Sequence, residues 1–421
     1  MDQSNAPASG ATTWRPLLTG AAAKRSEEAL AAIAEALGTP DPDDATAPTG
    51  LAGGDSGMAV LFTYLGQAYP GRGYEDQAVA YLERAFANVT REVRPPGLFV
   101  GYSGVGWAAQ HLRGRLLDPD EDSAQEVDEA LALALASGPW PEYDLVHGLV
   151  GAGVYAIERL PVPAAMKCLD LVLQQLADLA VRDGAGLTWW STSRRFGRRV
   201  DRYHDLGLAH GVAGVVSLLG EICRSAPAQT AARARGLLEG AATWLLQQRL
   251  HPRGAGFPAV LEPGFAPTMA RSAWCYGDPA VGLALLSAGR AVGSSLWQEE
   301  GLATLRTAAA RSKAAAQVED AGLCHGATGL GHIFNRAYHA SGDEGLGDAA
   351  RAWFLWALEQ RRPGEGLGGF RTWAPISDGG EFVWSDDRTL LTGATGIVLG
   401  LLAATTTISP DWDRMLCLFS R

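Results

Sequence analysis

GVAGVVSLLGEIC, residues 211–223, decides how this chain is read. It opens on Gly211-Val-Ala-Gly214 and continues apolar almost all round a helical turn, so the helix it predicts is enclosed on every side. The same Gly-x-x-Gly phrase with an apolar run begins at Gly54, Gly101, Gly148, Gly211, Gly277, Gly326 and Gly393, at intervals of 47, 47, 63, 66, 49 and 67 residues. Self-similarity at this period marks a repeat architecture. In the fifth copy Ala280 replaces the second glycine.

Between the glycine phrases lie segments of a second kind. SEEALAAIAEAL (26–37), EDQAVAYLERAFANV (75–89), DSAQEVDEALALALA (122–136), AAMKCLDLVLQQLADLAV (164–181), QTAARARGLLEGAATWLLQQ (229–248), LWQEEGLATLRTAAARS (296–312) and LGDAARAWFLWALEQ (346–360) carry apolar residues at i, i+3, i+4 and i+7 with charge opposite. Seven amphipathic helices therefore alternate with seven buried ones. An inner ring of parallel helices wrapped by an outer antiparallel ring satisfies both patterns, which makes the expected fold all-α: a seven-repeat α/α toroid of about fourteen helices. The repeats run from about residue 50 to 404 without a linker-like break, so residues 21–421 read as a single domain. Segments 1–20 and 38–50, rich in Ala, Pro, Asp and Thr, are expected to be flexible.

Composition excludes several classes of function. The 35 Lys and Arg are outnumbered by 46 Asp and Glu and form no phosphate-binding stripe, which argues against nucleic acid. No apolar stretch reaches the length of a membrane span, and MDQSNAPASGATTWRP lacks the basic-then-apolar order of a signal peptide. A soluble cytoplasmic protein is expected. Five cysteines, an odd number in a long chain, point to reduced thiols rather than a disulfide framework.

In the toroid the one or two residues before each motif glycine lie at one mouth of the ring, where the N–H groups starting the inner helices are expected to favour anions. Those positions hold His147, His210, Cys275–Tyr276 and Cys324–His325, against Ala52–Gly53, Phe99–Val100 and Leu391–Thr392 elsewhere. Three connections, 182–205, 250–273 and 362–390, bring TWW, FPAVLEPGF and FRTWAPISDGGEFVW to the same mouth as short strands or a lip for an extended ligand. Cys275, Cys324 and His325 suit zinc, with two soft thiolates, one imidazole and a fourth position open for substrate. Spacing alone leaves open that the cysteines are small buried hydrophobes and that His325 caps its helix; matching register in two repeats favours the metal. Cys168, Cys223, Cys417, His332 and His339 read as structural.

LAHGVAG (208–214), WCYGDPA (274–280) and CHGATGLG (324–331) are the signatures through which the chain resembles the lanthionine synthetase C-like family, over nearly its whole length from Gly50 to Leu402. The resemblance implies a toroid with one catalytic zinc per chain on Cys275, Cys324 and His325. It also implies a catalytic histidine at His210, an arginine at Arg271, a tyrosine at Tyr276 and an acidic residue at Asp144. The family usually carries glycine where Ala280 stands. The activity implied is that of a lanthipeptide cyclase: a precursor-peptide cysteine adds to dehydroalanine or dehydrobutyrine to give a lanthionine or methyllanthionine ring. The partners implied are the dehydrated precursor peptide, leader plus core, and a dehydratase and exporter that would hold the cyclase near the membrane. Arg271 suits stabilisation of the enolate and His210 its protonation, with Asp144 orienting the imidazole.

Other classes keep a place. A non-catalytic thiol- or peptide-binding scaffold of the same family fits an intact zinc set equally. Protein prenyltransferases also use a zinc-activated thiol in an α/α toroid, but with six repeats and an acidic zinc ligand. An α/α glycosidase would exploit the 13 tryptophans and a carboxylate pair, yet the tryptophans are scattered.

Overall fold

A computed structural model describes residues 14–91, 94–195, 198–250, 256–376 and 380–419. The amphipathic segments form an outer layer of helices: α1 (Gly20–Leu37), α3 (Tyr74–Val89), α5 (Gln125–Ala136), α7 (Pro163–Leu179), α9 (Ala228–Gln247), α11 (Ser295–Ala309) and α14 (Glu344–Glu359). The glycine-led runs form the inner layer: α2 (Asp55–Ala68), α4 (Tyr102–Leu112), α6 (Leu149–Glu158), α8 (Val212–Ser225), α10 (Asp278–Val292), α13 (Ala327–Ser341) and α15 (Ala394–Thr405). A one-turn helix, α12 (Lys313–Ala316), lies between α11 and α13. Each inner helix packs on the next, and α15 packs on α2, so the ring closes. Each of α2 to α13 is backed by the outer helix that follows it, and α15 by α1. The fold is the all-α toroid expected.

Glycine is required where the inner helices begin. In six repeats the second motif glycine lies against the carbonyl of a leucine six residues back, and a Cβ there would overlap that oxygen: Gly57 on Leu51, Gly104 on Leu98, Gly151 on Leu145, Gly214 on Leu208, Gly329 on Leu323 and Gly396 on Leu390. The fifth repeat changes both partners, carrying Trp274 and Ala280. Gly277, the first glycine of that repeat, is the motif glycine with a left-handed backbone (φ 89°), and its missing side chain leaves room for the Arg271 carbonyl.

These turns also satisfy the helix starts internally. The first three N–H groups of α6 donate to the carbonyls of Glu142, Tyr143 and Asp144, and those of α13 to Asp320, Ala321 and Gly322, at 2.9–3.3 Å. The expectation that exposed N–H groups draw anions to the mouth is therefore corrected for these helices: the loop ahead of each has already filled them.

The mouth is organised by a closed circuit of backbone hydrogen bonds. N–H groups two or three residues before each motif glycine donate to the carbonyl two residues before the motif glycine of the next repeat. The circuit runs Ala52 to Phe99, Phe99 to Val146, Leu145 to Ala209, Leu208 and Ala209 to Cys275, Trp274 and Cys275 to Cys324, Leu323 and Cys324 to Leu391, and Leu390 to Ala52. Residues far apart in sequence thus share one rim.

Short strands stand on that rim. β1 (Val181–Asp183) pairs with β2 (Gly186–Thr188); β3 (Ser191–Arg195), β4 (Arg198–Asp205) and β5 (Val260–Leu261) form a three-stranded antiparallel sheet; β6 (Thr372–Pro375) pairs with β7 (Phe382–Ser385). All come from the three connections marked in the sequence, save that β1 starts one residue earlier, at Val181, the last residue of the segment expected to be helical. The opposite side of the lumen is filled by the C-terminal segment, a 3₁₀ turn over Asp411–Leu416 with Trp412, Met415, Leu416 and Cys417 fully buried. Trp274 Nε1 donates to the Leu416 carbonyl at 3.0 Å, and Ser217 Oγ to that of Cys417 at 2.5 Å. Asp413, itself buried, accepts from His332 Nε2 at 2.7 Å and from the Arg336 guanidinium.

Residues 1–13 of the segment expected to be flexible lie outside the described residues. From Trp14 onward the chain is docked: Trp14, Leu17 and Leu18 are buried, and Trp14 Nε1 and the Leu17 and Leu18 N–H groups bond to carbonyls at the end of α15. Among the described residues no helix is long and apolar enough to cross a membrane.

Candidate metal centre at the mouth

Register places the chemistry. Cys275 and Cys324 both occupy the position two before a motif glycine, and adjacent repeats meet there through the bonds from the Trp274 and Cys275 N–H groups to the Cys324 carbonyl (2.9 and 3.3 Å). His325 follows in the next position. One ligand atom from each of Cys275, Cys324 and His325 lies within 4.8 Å of the other two. Ligands of a tetrahedral zinc stand about 3.3–3.8 Å apart on the usual bond lengths, so the cradle fits such an ion with little adjustment.

The two sulfurs are joined by a hydrogen bond. Cys275 is held well below the ordinary thiol range by the hydrogen bond from Cys324, opposed by burial and supported by His325 and by the charge of Arg271. Cys324, donor in that bond and half-buried beside the incipient thiolate, is pushed up. A pair so arranged is ready to release its last proton to a cation. Arg271, half-buried, lowers both sulfurs. It stands six residues before its motif glycine, where three other repeats carry Asp205, Asp320 and Asp387. Those aspartates each accept from the N–H two residues on, at 2.7–3.0 Å, and form turns. Arginine cannot accept such a bond.

A second cluster lies one repeat away. His210 Nδ1 meets Asp144 Oδ2 at 2.5 Å, and the other Asp144 oxygen accepts the His147 backbone N–H at 2.7 Å. Burial works against the charged form of His210, but the hydrogen bond and charge of Asp144, with Asp205 and Cys275 beyond, hold its pKa above the ordinary imidazole value. Asp144 is destabilised as an anion by burial, yet the two histidines keep it below the carboxylate range. The Tyr276 ring centre is 6.4 Å from that of His210, and its hydroxyl donates to Asp205 Oδ2 at 2.9 Å.

All seven residues singled out in the sequence therefore reach one rim, in two groups joined by the bonds from the Leu208 and Ala209 N–H groups to the Cys275 carbonyl (3.0 and 3.4 Å). One further residue of the rim was not foreseen. Asp205, at the end of β4, orients Tyr276; its recurrence with Asp320 and Asp387 six residues before a motif glycine was the available signal. His147, already marked at the mouth but without a role, lies against the same Asp144 carboxylate as His210. Of the residues set aside as structural, Cys168 and Cys417 are buried, Cys223 is half-buried, and His332 is enclosed on Asp413.

Residues 46–417 match the family model described as lanthionine synthetase C-like protein. The fold is similar to the solved structure of nisin cyclase, with a TM-score of 0.70 at 17% identity, covering 94% of this chain and 97% of that one. An inactive variant of an α-1,6-mannanase from Salegentibacter aligns at a TM-score of 0.48 and 10% identity over 92% of this chain and 99% of its own. No curated protein sequence matches significantly.

Proposed function

The chain belongs to the lanthionine synthetase C-like family, and on that footing we propose that it is a zinc-dependent cyclase, closing thioether rings in a dehydrated precursor peptide. The observation that carries this reading is the convergence of Cys275, Cys324 and His325 beside a separate histidine paired to a carboxylate. Zinc bound there would favour the thiolate form of a peptide cysteine, whose free pKa near 8.5 leaves it mostly protonated at neutral pH.

The rest falls to the protein's own groups. The peptide sulfur gives its proton to solvent and forms a bond to the β-carbon of a dehydroalanine or dehydrobutyrine. The double-bond electrons move toward the adjacent carbonyl as an enolate. Arg271, beside the sulfurs and permanently cationic, stabilises that charge. His210, protonated and held by Asp144, gives a proton to the α-carbon and completes the ring. Tyr276, fixed by Asp205, borders the His210 imidazole and limits how the peptide approaches it. The strands on the rim, with Phe382 and Trp384 of β7 exposed, offer an extended peptide an aromatic surface beside the centre. This reading includes the cytoplasmic setting and the dehydratase and exporter partners of such a pathway.

The test is reconstitution with a dehydrated peptide carrying one cysteine, followed by alkylation of free thiols and mass spectrometry. Zinc-loaded protein should consume the thiol at unchanged peptide mass, and His210→Ala should slow this by ~10²–10⁴-fold while binding peptide and zinc as the parent does. Tight peptide binding without thiol consumption would instead establish the non-catalytic scaffold.

A further inference from the structure

The His210 cluster holds more ligands than a proton donor needs. Asp144, His147 and His210 each offer an atom within 4.8 Å of the other two. Asp144 Oδ2 stands between two Nδ1 atoms, 2.5 Å from that of His210 and 3.7 Å from that of His147. The imidazole rings lie nearly parallel, 6.3 Å between centres. The His147 side chain is 54% exposed and that of His210 39%, so an ion reaches them from the mouth without unfolding anything. The residue before the motif glycine is also His210, Tyr276 and His325 in the next three repeats; Tyr276 and His325 face Asp205 and the two thiols, whereas His147 and His210 turn to the same carboxylate.

We propose that Asp144, His147 and His210 form a second, weaker divalent-metal site, and that zinc in it switches the enzyme off. Two imidazoles and a carboxylate suit zinc and similar ions, with water completing the shell. The His147–Asp144 spacing already matches that between ligands of one ion, and the tighter His210–Asp144 pair has to open by less than about 1 Å. The ion takes the place of the proton between His210 and Asp144. The inhibitory part rests on the reading of His210 as proton donor: with the ion on Nδ1 the ring keeps its Nε2 proton but is no longer imidazolium, and a coordinated neutral imidazole is a far weaker acid. Zinc would then be required at one equivalent and inhibitory beyond it.

His147 is the residue to change, because it takes no part in the proposed reaction and its backbone N–H to Asp144 survives substitution. Metal-free protein and His147→Asn are titrated with cobalt(II), then with zinc during turnover. In the parent the first equivalent should give thiolate-to-cobalt charge-transfer absorption, and the second only weak ligand-field bands. His147→Asn should keep the first phase, and lose affinity for the second ion and zinc inhibition, the latter read against the variant's own rate at one equivalent of zinc, by about tenfold or more. A second phase of parental affinity in His147→Asn, or its absence from the parent, would overturn the site. Inhibition indifferent to His147 would overturn the switch. Failure of the thiol centre shows separately, as a missing charge-transfer band with the His147-dependent phase intact.

Discussion

Asp144→Asn removes the charge that keeps His210 protonated while preserving size and one acceptor for the His147 N–H. The groups facing His210 are Asp144, Glu142, Asp205, the Cys275 thiol, His147 and Tyr276, and the direct bond is to Asp144, at 2.5 Å. A hydrogen bond to a charged group contributes about 1.5–3 kcal/mol; with the His210 side chain 39% exposed, solvent screening reduces this to about 1–2 kcal/mol. That is a loss of imidazolium that grows toward roughly five- to thirtyfold as pH rises past the parent's pKa. The sign follows from the raised pKa: the donor form persists to higher pH than in a free imidazole, so the alkaline limb of the activity profile lies high in the parent and moves to lower pH in the variant. Ring closure followed by mass spectrometry across pH should show little difference on the acid side and the full deficit on the alkaline side, at unchanged metal content. Superimposed profiles would refute the pairing of Asp144 with His210 as the source of the proton.

Other outcomes follow from the same structure. Asp413→Ala strands the buried Arg336 and His332 and should lower unfolding free energy by about 3–5 kcal/mol in denaturant titration; a loss below 1 kcal/mol would mean that the lumen segment is held mainly by its apolar residues. Gly329→Ala drives a methyl group into the Leu323 carbonyl and should cost about 1–3 kcal/mol. Gly236→Ala, exposed in α9 with open space around its Cα, should gain about 1 kcal/mol; the same thermal-melt series reads both, and equal signs would contradict the packing. Arg271→Lys keeps the charge but not the planar fork, so ring closure should slow more than metal or peptide binding weakens; a fall in affinity alone would make Arg271 a peptide anchor.

Periodicity alone predicts both layers of helices because a buried helix must be apolar all round and an outer one on a single stripe. Register then brings Cys275 beside Cys324, although 49 residues separate them. The backbone circuit was hidden, since any residue supplies an N–H and a carbonyl. So was the lumen plug: nothing in DWDRMLCLF marks a 3₁₀ turn as the filling of a ring until Trp274 and Arg336 are seen to reach it. Trp274 and Ala280 are visible as departures from the repeat, but that they change together at one contact requires the fold. Asp205 was legible by recurrence, whereas His147 was noticed without a role because its partner Asp144 belongs to the turn before it.

Zinc counting addresses the central claim most directly. Protein freed of loosely held metal with a weak chelator should retain one zinc per chain, and Cys275→Ala and Cys324→Ala should each lose it under the same treatment while remaining folded. One zinc per chain in the parent that persists undiminished in both variants would contradict the assignment of the metal centre to Cys275, Cys324 and His325.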